Sequence, residues 1–240
     1  MKEKDKKLKL KLYSHKDLFY IKGSAKRIKI PDLDINLALF LGIMWGDGWL
    51  LKREKAKKDG NWRIGIVEDD IPLVNKFISL TEKLFSIKPK INDRITKQEA
   101  YLSNRIVYEI LSRAYGFPDG EKINRLSIPK EVLKSKKLVC SFLSGVFSTD
   151  GKFTVYKGYP RICIESATLK FINEIQRELY KLQFNPRIYT WNRKKGNKLY
   201  GVYLNGFKQV KEFNKKIGFI GEKTYKLERF IDNMPRFTAP

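Results

Sequence analysis

Leu37-Ala38-Leu39-Phe40-Leu41-Gly42-Ile43-Met44-Trp45-Gly46-Asp47-Gly48 and Leu138-Val139-Cys140-Ser141-Phe142-Leu143-Ser144-Gly145-Val146-Phe147-Ser148-Thr149-Asp150-Gly151 share one design. Each is almost free of charge, and each ends in aspartate followed by glycine. In a chain that is 32% charged, the stretch from Ile35 to Leu51 holds a single charge, Asp47, and residues 138–151 hold only Asp150. Ending a buried helix in an ionised carboxylate is costly unless a cation or donor meets it. Two such devices, 103 positions apart (150 − 47), predict two half-sites that meet in space.

The surrounding sequence repeats as well. Gly116-Phe117, Gly120-Glu121-Lys122 and Leu126 are echoed by Gly218-Phe219, Gly221-Glu222-Lys223 and Leu227. Ile30-Pro31 precedes the first apolar helix as Ile128-Pro129 precedes the second. Periodicity and breakers predict strands at 48–53, 63–67, 88–96 and 99–103, with helices at 71–85 and 106–115. The order returns after Pro129, with a helix to Thr149 and strands at 152–156, 160–166, 187–193 and 198–204. Helices at 169–182 and 207–217 complete it. The expected fold class is α+β, built from two pseudo-symmetric αββαββα halves, each with a four-stranded antiparallel sheet. The expected divisions are a basic N-terminal arm over residues 1–29, a first half-domain over 30–127 and a second over 128–240 with a C-terminal helix. Asn36 is the expected N-cap of the first helix, and Gly48 the expected left-handed residue closing it.

Composition points to a polyanionic partner. Fifty Lys and Arg against 26 Asp and Glu give a net charge of +24, and counterion release favours nucleic acid over other anionic surfaces. One histidine, His15, excludes most zinc sites and histidine-based general-base schemes. Cys140 and Cys163 lack metal-ligand spacing and read as reduced thiols of an intracellular protein, in cytoplasm, nucleoid or organelle. No secretory signal is evident, and the apolar run at 37–51 is too short for a membrane span. The Lys-Leu alternation at residues 7–12 reads as a frayed tail or edge strand ahead of a nucleic-acid-contacting arm.

Gly42 and Gly46 share one helical face, as do Gly145 and Thr149, so the two helices can approach closely and bring Asp47 and Asp150 out side by side. Two carboxylates with helix-end carbonyls make a hard oxygen site suited to Mg²⁺.

Phe40–Gly48 and Leu143–Gly151 strongly resemble the nine-residue motif of the LAGLIDADG homing endonucleases, of the single-chain, two-motif type. The repeat extends that resemblance over about residues 30–233. Trp45 and Ser148 stand where the pattern has its first aspartate, and Thr149 is bulkier than the usual Gly or Ala. The resemblance implies paired motif helices joining two sheets into a DNA-binding saddle. It implies metal binding by Asp47 and Asp150, with Gly46 and Thr149 lending backbone carbonyls. Glu68 and Glu165 are expected to order solvent near the cleaved phosphate, and Lys122 and Lys223 to polarise the scissile region, with Lys152 a weaker alternative.

Alternation along the strands nominates Arg63, Lys90, Asn92 and Arg94 in the first half as DNA contacts, with Gln98 and Asn192 added as amides suited to adenine. In the second half alternation nominates Arg187, Tyr189, Trp191 and Arg193. The implied activity is a double-strand break in a long, pseudo-palindromic DNA target, promoting intron mobility and carried out by a monomer. Mg²⁺ is the expected cofactor, Mn²⁺ an expected substitute, and Ca²⁺ an ion that supports binding without cleavage. Alternatives are an RNA maturase acting on intron RNA, or a non-catalytic DNA-binding regulator. An intein-borne enzyme is disfavoured, because no Cys or Ser opens the chain and no His-Asn pair closes it.

Overall fold

A computed structural model describes residues 12–15, 18–21, 27–52, 62–192 and 198–233. A small hairpin, β1 (Leu12–His15) and β2 (Leu18–Ile21), comes first. Phe19 bridges to Ile28, which is fully buried, so the expected basic arm ends inside the first core. The Lys-Leu alternation before Leu12 lies outside the described residues.

Two homologous units follow. The first runs α1 (Ile35–Asp47), β3 (Gly48–Lys52), β4 (Trp62–Glu68), α2 (Ile71–Phe85), β5 (Lys90–Asp93), β6 (Gln98–Ser103) and α3 (Arg105–Glu109), which continues as a π-helical turn to Ala114. The second runs α4 (Lys136–Asp150), β7 (Gly151–Tyr156), β8 (Tyr159–Ser166), α5 (Leu169–Lys181), β9 (Arg187–Trp191), β10 (Leu199–Asn205), α6 (Phe207–Lys216) and α7 (Glu222–Asp232). The sheets are antiparallel with orders β3-β4-β6-β5 and β7-β8-β10-β9. The expected α+β duplication is therefore the observed one.

Several boundaries differ for physical reasons. Asp34, not Asn36, caps α1, its carboxylate accepting from the Leu37 amide at 2.8 Å. A separate 3₁₀ turn (Val132–Lys134) precedes α4, so the long helix expected from Pro129 is broken before Ser135. Gly48 is extended rather than left-handed (φ −68°), as is Gly151 (φ −78°). Both are needed for closeness: a Cβ on Gly48 would collide with the Met44 carbonyl, and one on Gly151 with Phe147. Each motif helix thereby turns directly into the first strand of its sheet, which fixes the carboxylate at that junction.

The core runs continuously through both halves. Phe40 stacks on Phe77 at 5.5 Å and meets Phe85 edge-on at 5.3 Å, while Phe147 meets Phe213 at 5.1 Å in the second half. Between them α1 and α4 pack through glycines. A Cβ on Gly42 would occupy the place of the Phe142 carbonyl oxygen, and one on Gly145 would lie 2.6 Å from both the Leu39 oxygen and the Ile43 nitrogen. Small residues let the backbones touch, as the spacing predicts. Cys163 is buried and Cys140 half-buried, both as free thiols. No helix among the described residues is long and apolar enough to cross a membrane.

Candidate active centre and nucleic-acid face

Asp47 ends α1 and Asp150 ends α4, at the same end of the glycine-packed pair. Their charges act on each other: burial first, and Asp47 second, push the Asp150 carboxyl up to about 6, against the opposing pull of Lys122, Lys223 and Lys152. Thr149 fits because Gly46 opposite it has no side chain. Its hydroxyl donates back to the Gly145 and Val146 carbonyls at 3.1 and 2.9 Å, so the bulk brings no unmet polar group.

The two repeated lysines converge on the same ends. The Lys223 ammonium donates to the Ser148 and Thr149 carbonyls, each at 2.6 Å. Lys122 donates to the Gly46 carbonyl, with Trp45 oxygen at 3.5 Å. Unpaired carbonyls and the negative end of each helix dipole hold these cations there. Burial lowers both lysine pKa values, and the neighbouring carboxylates oppose that shift. The Gly46 and Thr149 carbonyls thus lie at the centre, engaged by ammonium groups.

Trp45 and Ser148, the departures from the motif, anchor the lysine-bearing segments. The Trp45 indole donates to the Ser127 carbonyl at 2.8 Å, and the Ser148 hydroxyl accepts from the Ile220 amide at 2.7 Å. The segments also cross between halves. Asp70, the N-cap of α2, accepts from the Glu222 amide at 2.8 Å, while Thr168, at the start of α5, accepts from Asn124 at 2.9 Å. Sequence reasoning missed Asp70. Its signal was an N-cap aspartate ahead of Ile71-Pro72, which says where a helix starts but not that a second amide docks there.

Glu68 and Glu165 are not equivalent. Gly48 pairs with Ile66 and Gly151 with Ile164, so the counterpart of Glu165 is Val67, and that of Glu68 is Ser166. Glu68 shares the register of the buried Ile64 and Ile66 and closes onto Asp47, to which it is hydrogen-bonded. Burial first, then that bond and the Asp47 charge, push Glu68 up to about 8, so it carries a proton at neutral pH and donates it toward Asp47. The extra negative charge of a glutamate here is thereby avoided. Glu165 lies on the open sheet face, paired to Lys152 at 3.1 Å and accepting from the Tyr203 hydroxyl at 2.9 Å. A slip of one residue reverses the face. Only Glu68 joins the carboxylate centre, and Lys152 belongs chiefly to Glu165.

The open faces follow from the same registers. Arg63, Lys90 and Asn92 align with Gly65 and Tyr101 on the first sheet, with Arg94 following just past β5. Arg187, Tyr189 and Trp191 align with Gly201 and Tyr203 on the second. Gln98 falls in the register of the buried Ala100 and Leu102 and donates to Asp93 at 2.9 Å, so it leaves the expected DNA face. Asn192 follows β9 in the opposite register to Trp191 and is exposed. Arg193 lies outside the described residues.

Among the described residues no group of three or more His, Cys, Asp and Glu is placed to hold a metal. The anionic donors at the centre are the two carboxylates, because the Gly46 and Thr149 carbonyls already accept from Lys122 and Lys223. That set fits a cation such as Mg²⁺, which is bound by one or two carboxylates and completes its sphere with water and substrate phosphates. The Asp150 carboxyl is raised chiefly by burial and next by Asp47, so a cation there would relieve both.

Comparison with known proteins follows the same lines. Residues 137–218 match the family described as the LAGLIDADG-like domain. The fold matches that of I-DmoI solved in complex with DNA and Mn, with TM-score 0.55 and 19% identity, over 77% of this chain and 98% of that one. It also matches the homing endonuclease I-WcaI bound to its DNA recognition sequence, with TM-score 0.59 and 16% identity, over 80% and 85% of the two chains. Among curated proteins, the replication factor C small subunit of Methanocaldococcus jannaschii is 28% identical over 210 residues, 85% of this chain. The chain spans 11% of the length of that relative.

Proposed function

We propose that this protein, which carries a LAGLIDADG-like domain and the fold of the homing endonucleases, is a site-specific DNA endonuclease. It would cut both strands of a long, pseudo-palindromic target as a monomer, by divalent-metal-assisted phosphodiester hydrolysis. One observation carries the reading: Asp47 and Asp150, 103 positions apart, end side by side on one helix pair, with a lysine at each helix end. A purely structural helix seam has no need to gather two carboxylates where burial resists their charge.

With the two sheets in flanking stretches of major groove, the helix pair lies over the intervening minor groove, and each aspartate approaches one strand. The +24 charge supplies the electrostatic attraction. A divalent cation held by Asp47 and Asp150, Mg²⁺ by the donor set, would stabilise charge developing on the scissile phosphate and lower the pKa of attacking water. The chain's own groups do the rest. Lys122 and Lys223 hold the helix-end carbonyls in place and keep positive charge beside the reacting strands. Glu68, hydrogen-bonded to Asp47, orients that carboxylate at the centre.

Promotion of intron mobility is the setting this activity serves. The match to a segment making up 11% of a longer relative supports a second setting, a module carried within a host protein. Both settings require the same cleavage. The test is incubation with a randomised duplex library in Mg²⁺ or Ca²⁺, with the new ends sequenced. Discrete ends in Mg²⁺, absent in Ca²⁺, are expected. Specific binding with no ends in Mg²⁺ would replace the nuclease by a regulator, and binding confined to structured RNA by a maturase.

A further inference from the structure

The two open sheet faces are built on one register but differ in chemistry at matched positions. Arg63 corresponds to Arg161, and Tyr101 to Tyr203, and in each half the arginine lies over the tyrosine ring, at 5.3 and 6.0 Å. Beside that shared pair the halves diverge. Asn92, Arg94 and Glu99 in the first half become Tyr189, Trp191 and Gly201 in the second. In the first half these groups bind one another, Asn92 donating to Glu99 at 3.2 Å and Arg94 pairing with it at 2.9 Å, so the face offers oriented polar groups.

In the second half the glutamate's place is empty. A Cβ on Gly201 would lie 2.8 Å from both the Trp191 and Tyr203 rings, so the ring atoms close over the glycine. Tyr189 meets Tyr203 edge-on at 5.1 Å, and Trp191 meets it at 6.1 Å. The result is a slot of about 350 Å³, lined by Tyr189, Trp191, Tyr203, Arg161 and Asn205 and open on the sheet face. Tyr189 is half exposed, so aromatic surface faces the incoming ligand.

Base edges in the major groove are almost wholly polar. Their apolar group is the methyl on pyrimidine C5, which aromatic and aliphatic side chains contact. Resting on the proposed DNA-binding role, we infer that the Tyr189–Trp191–Tyr203 slot reads a pyrimidine C5-methyl group in the half-site beneath the second sheet, while the first sheet reads its half-site by hydrogen bonds. The half-sites then differ in kind as well as in sequence, and thymine, or 5-methylcytosine in modified DNA, marks the second. Arg161 flanks the slot, its Nε donating to the Thr154 hydroxyl at 3.0 Å and its guanidinium lying over the Tyr156 ring at 5.3 Å.

The test uses the site recovered from the library and measures Kd at one fixed salt concentration. Deoxyuridine replaces thymine, one half-site at a time, and 5-methylcytosine replaces cytosine. Loss of one slot methyl is expected to weaken binding about four-fold, the worth of a buried methyl group, in the second half-site only. Trp191→Ala should weaken binding and abolish that sensitivity. The double variant Tyr189→Asn with Trp191→Arg, installing two of the first half's residues, should abolish the sensitivity as well. A gain with 5-methylcytosine at the same position would identify the methyl rather than thymine as the signal. Equal sensitivity in both half-sites, none in either, or sensitivity that survives Trp191→Ala would overturn the inference while leaving the nuclease reading intact. Failure to recover any specific DNA site would remove both.

Discussion

Lys223 donates to the Thr149 carbonyl at 2.6 Å, and Lys122 makes the corresponding bond to Gly46 in the other half. Two cations therefore sit at the backbone positions from which a divalent ion would draw secondary ligands. Lys223→Met removes two charge-assisted bonds, worth about 1.5–3 kcal/mol each, but relieves the burial of an ammonium, which offsets most of that. A net loss of about 1 kcal/mol in stability is expected. Cleavage should fall at least about a hundredfold, the scale of losing one preorganised charge at a phosphate. Denaturant midpoints and single-turnover cleavage, measured together, check this. A large stability loss with unchanged cleavage would assign the lysine a structural role alone.

Glu68 and Glu165 should separate cleanly under substitution. Glu68→Gln is expected to slow cleavage while leaving Kd within about threefold, since its carboxyl faces Asp47 rather than the open sheet. Glu165→Gln removes an anion from the open face and frees Lys152, so DNA affinity should rise with cleavage little changed. Binding and cleavage assays that gave both variants the same effects would show the two glutamates to be equivalent after all.

The non-equivalence of the two glutamates leaves no mark in the sequence. From Asp47 to Glu68 is 21 residues and from Asp150 to Glu165 is 15, because the first strand pair carries the longer connection, so spacing cannot align them. Only strand pairing shows that Val67 matches Glu165. The same one-residue sensitivity removed Gln98 from the open face. The duplication, the helix pair and the lysines were legible, because apolar runs with glycines one turn apart and a repeated Gly-Glu-Lys leave marks that do not depend on register. Trp45 and Ser148 left a weaker mark, a polar group inside an apolar helix, whose partners Ser127 and Ile220 lie more than seventy residues away.

Stability of the metal-free protein should depend on pH through this centre. Asp150 and Glu68 have folded pKa values raised to about 6 and about 8. For a carboxyl raised on folding, the favourable contribution is complete below its unfolded pKa, near 4, and is lost as pH rises through the folded value. Stability in EDTA should therefore decline between about pH 4 and pH 8 relative to the Asp150→Asn, Glu68→Gln double variant, by about 2 kcal/mol after solvent screening. Thermal unfolding of both proteins across that range, with and without Mg²⁺, tests it. Parallel pH profiles would contradict the assignment.

Close helix contact makes its own prediction. Gly145→Ala adds a methyl 2.6 Å from the Leu39 carbonyl oxygen. Overpacking costs about 1–3 kcal/mol against a helix-propensity gain of about 1 kcal/mol, so a net loss of up to about 2 kcal/mol is expected in urea unfolding. A stabilised variant would mean that the helices stand further apart.

The central claim is that Asp47 and Asp150 form one composite centre cutting both strands. It is tested most directly by strand-resolved cleavage of the recovered site in Mg²⁺, comparing the wild-type chain with Asp47→Asn and with Asp150→Asn, alongside Kd for each. The account predicts double-strand cutting by the wild type and loss of double-strand cleavage in both variants, with Kd changed by less than about threefold. Full double-strand cleavage by either variant, or loss of cleavage only together with loss of folding and binding, would contradict it.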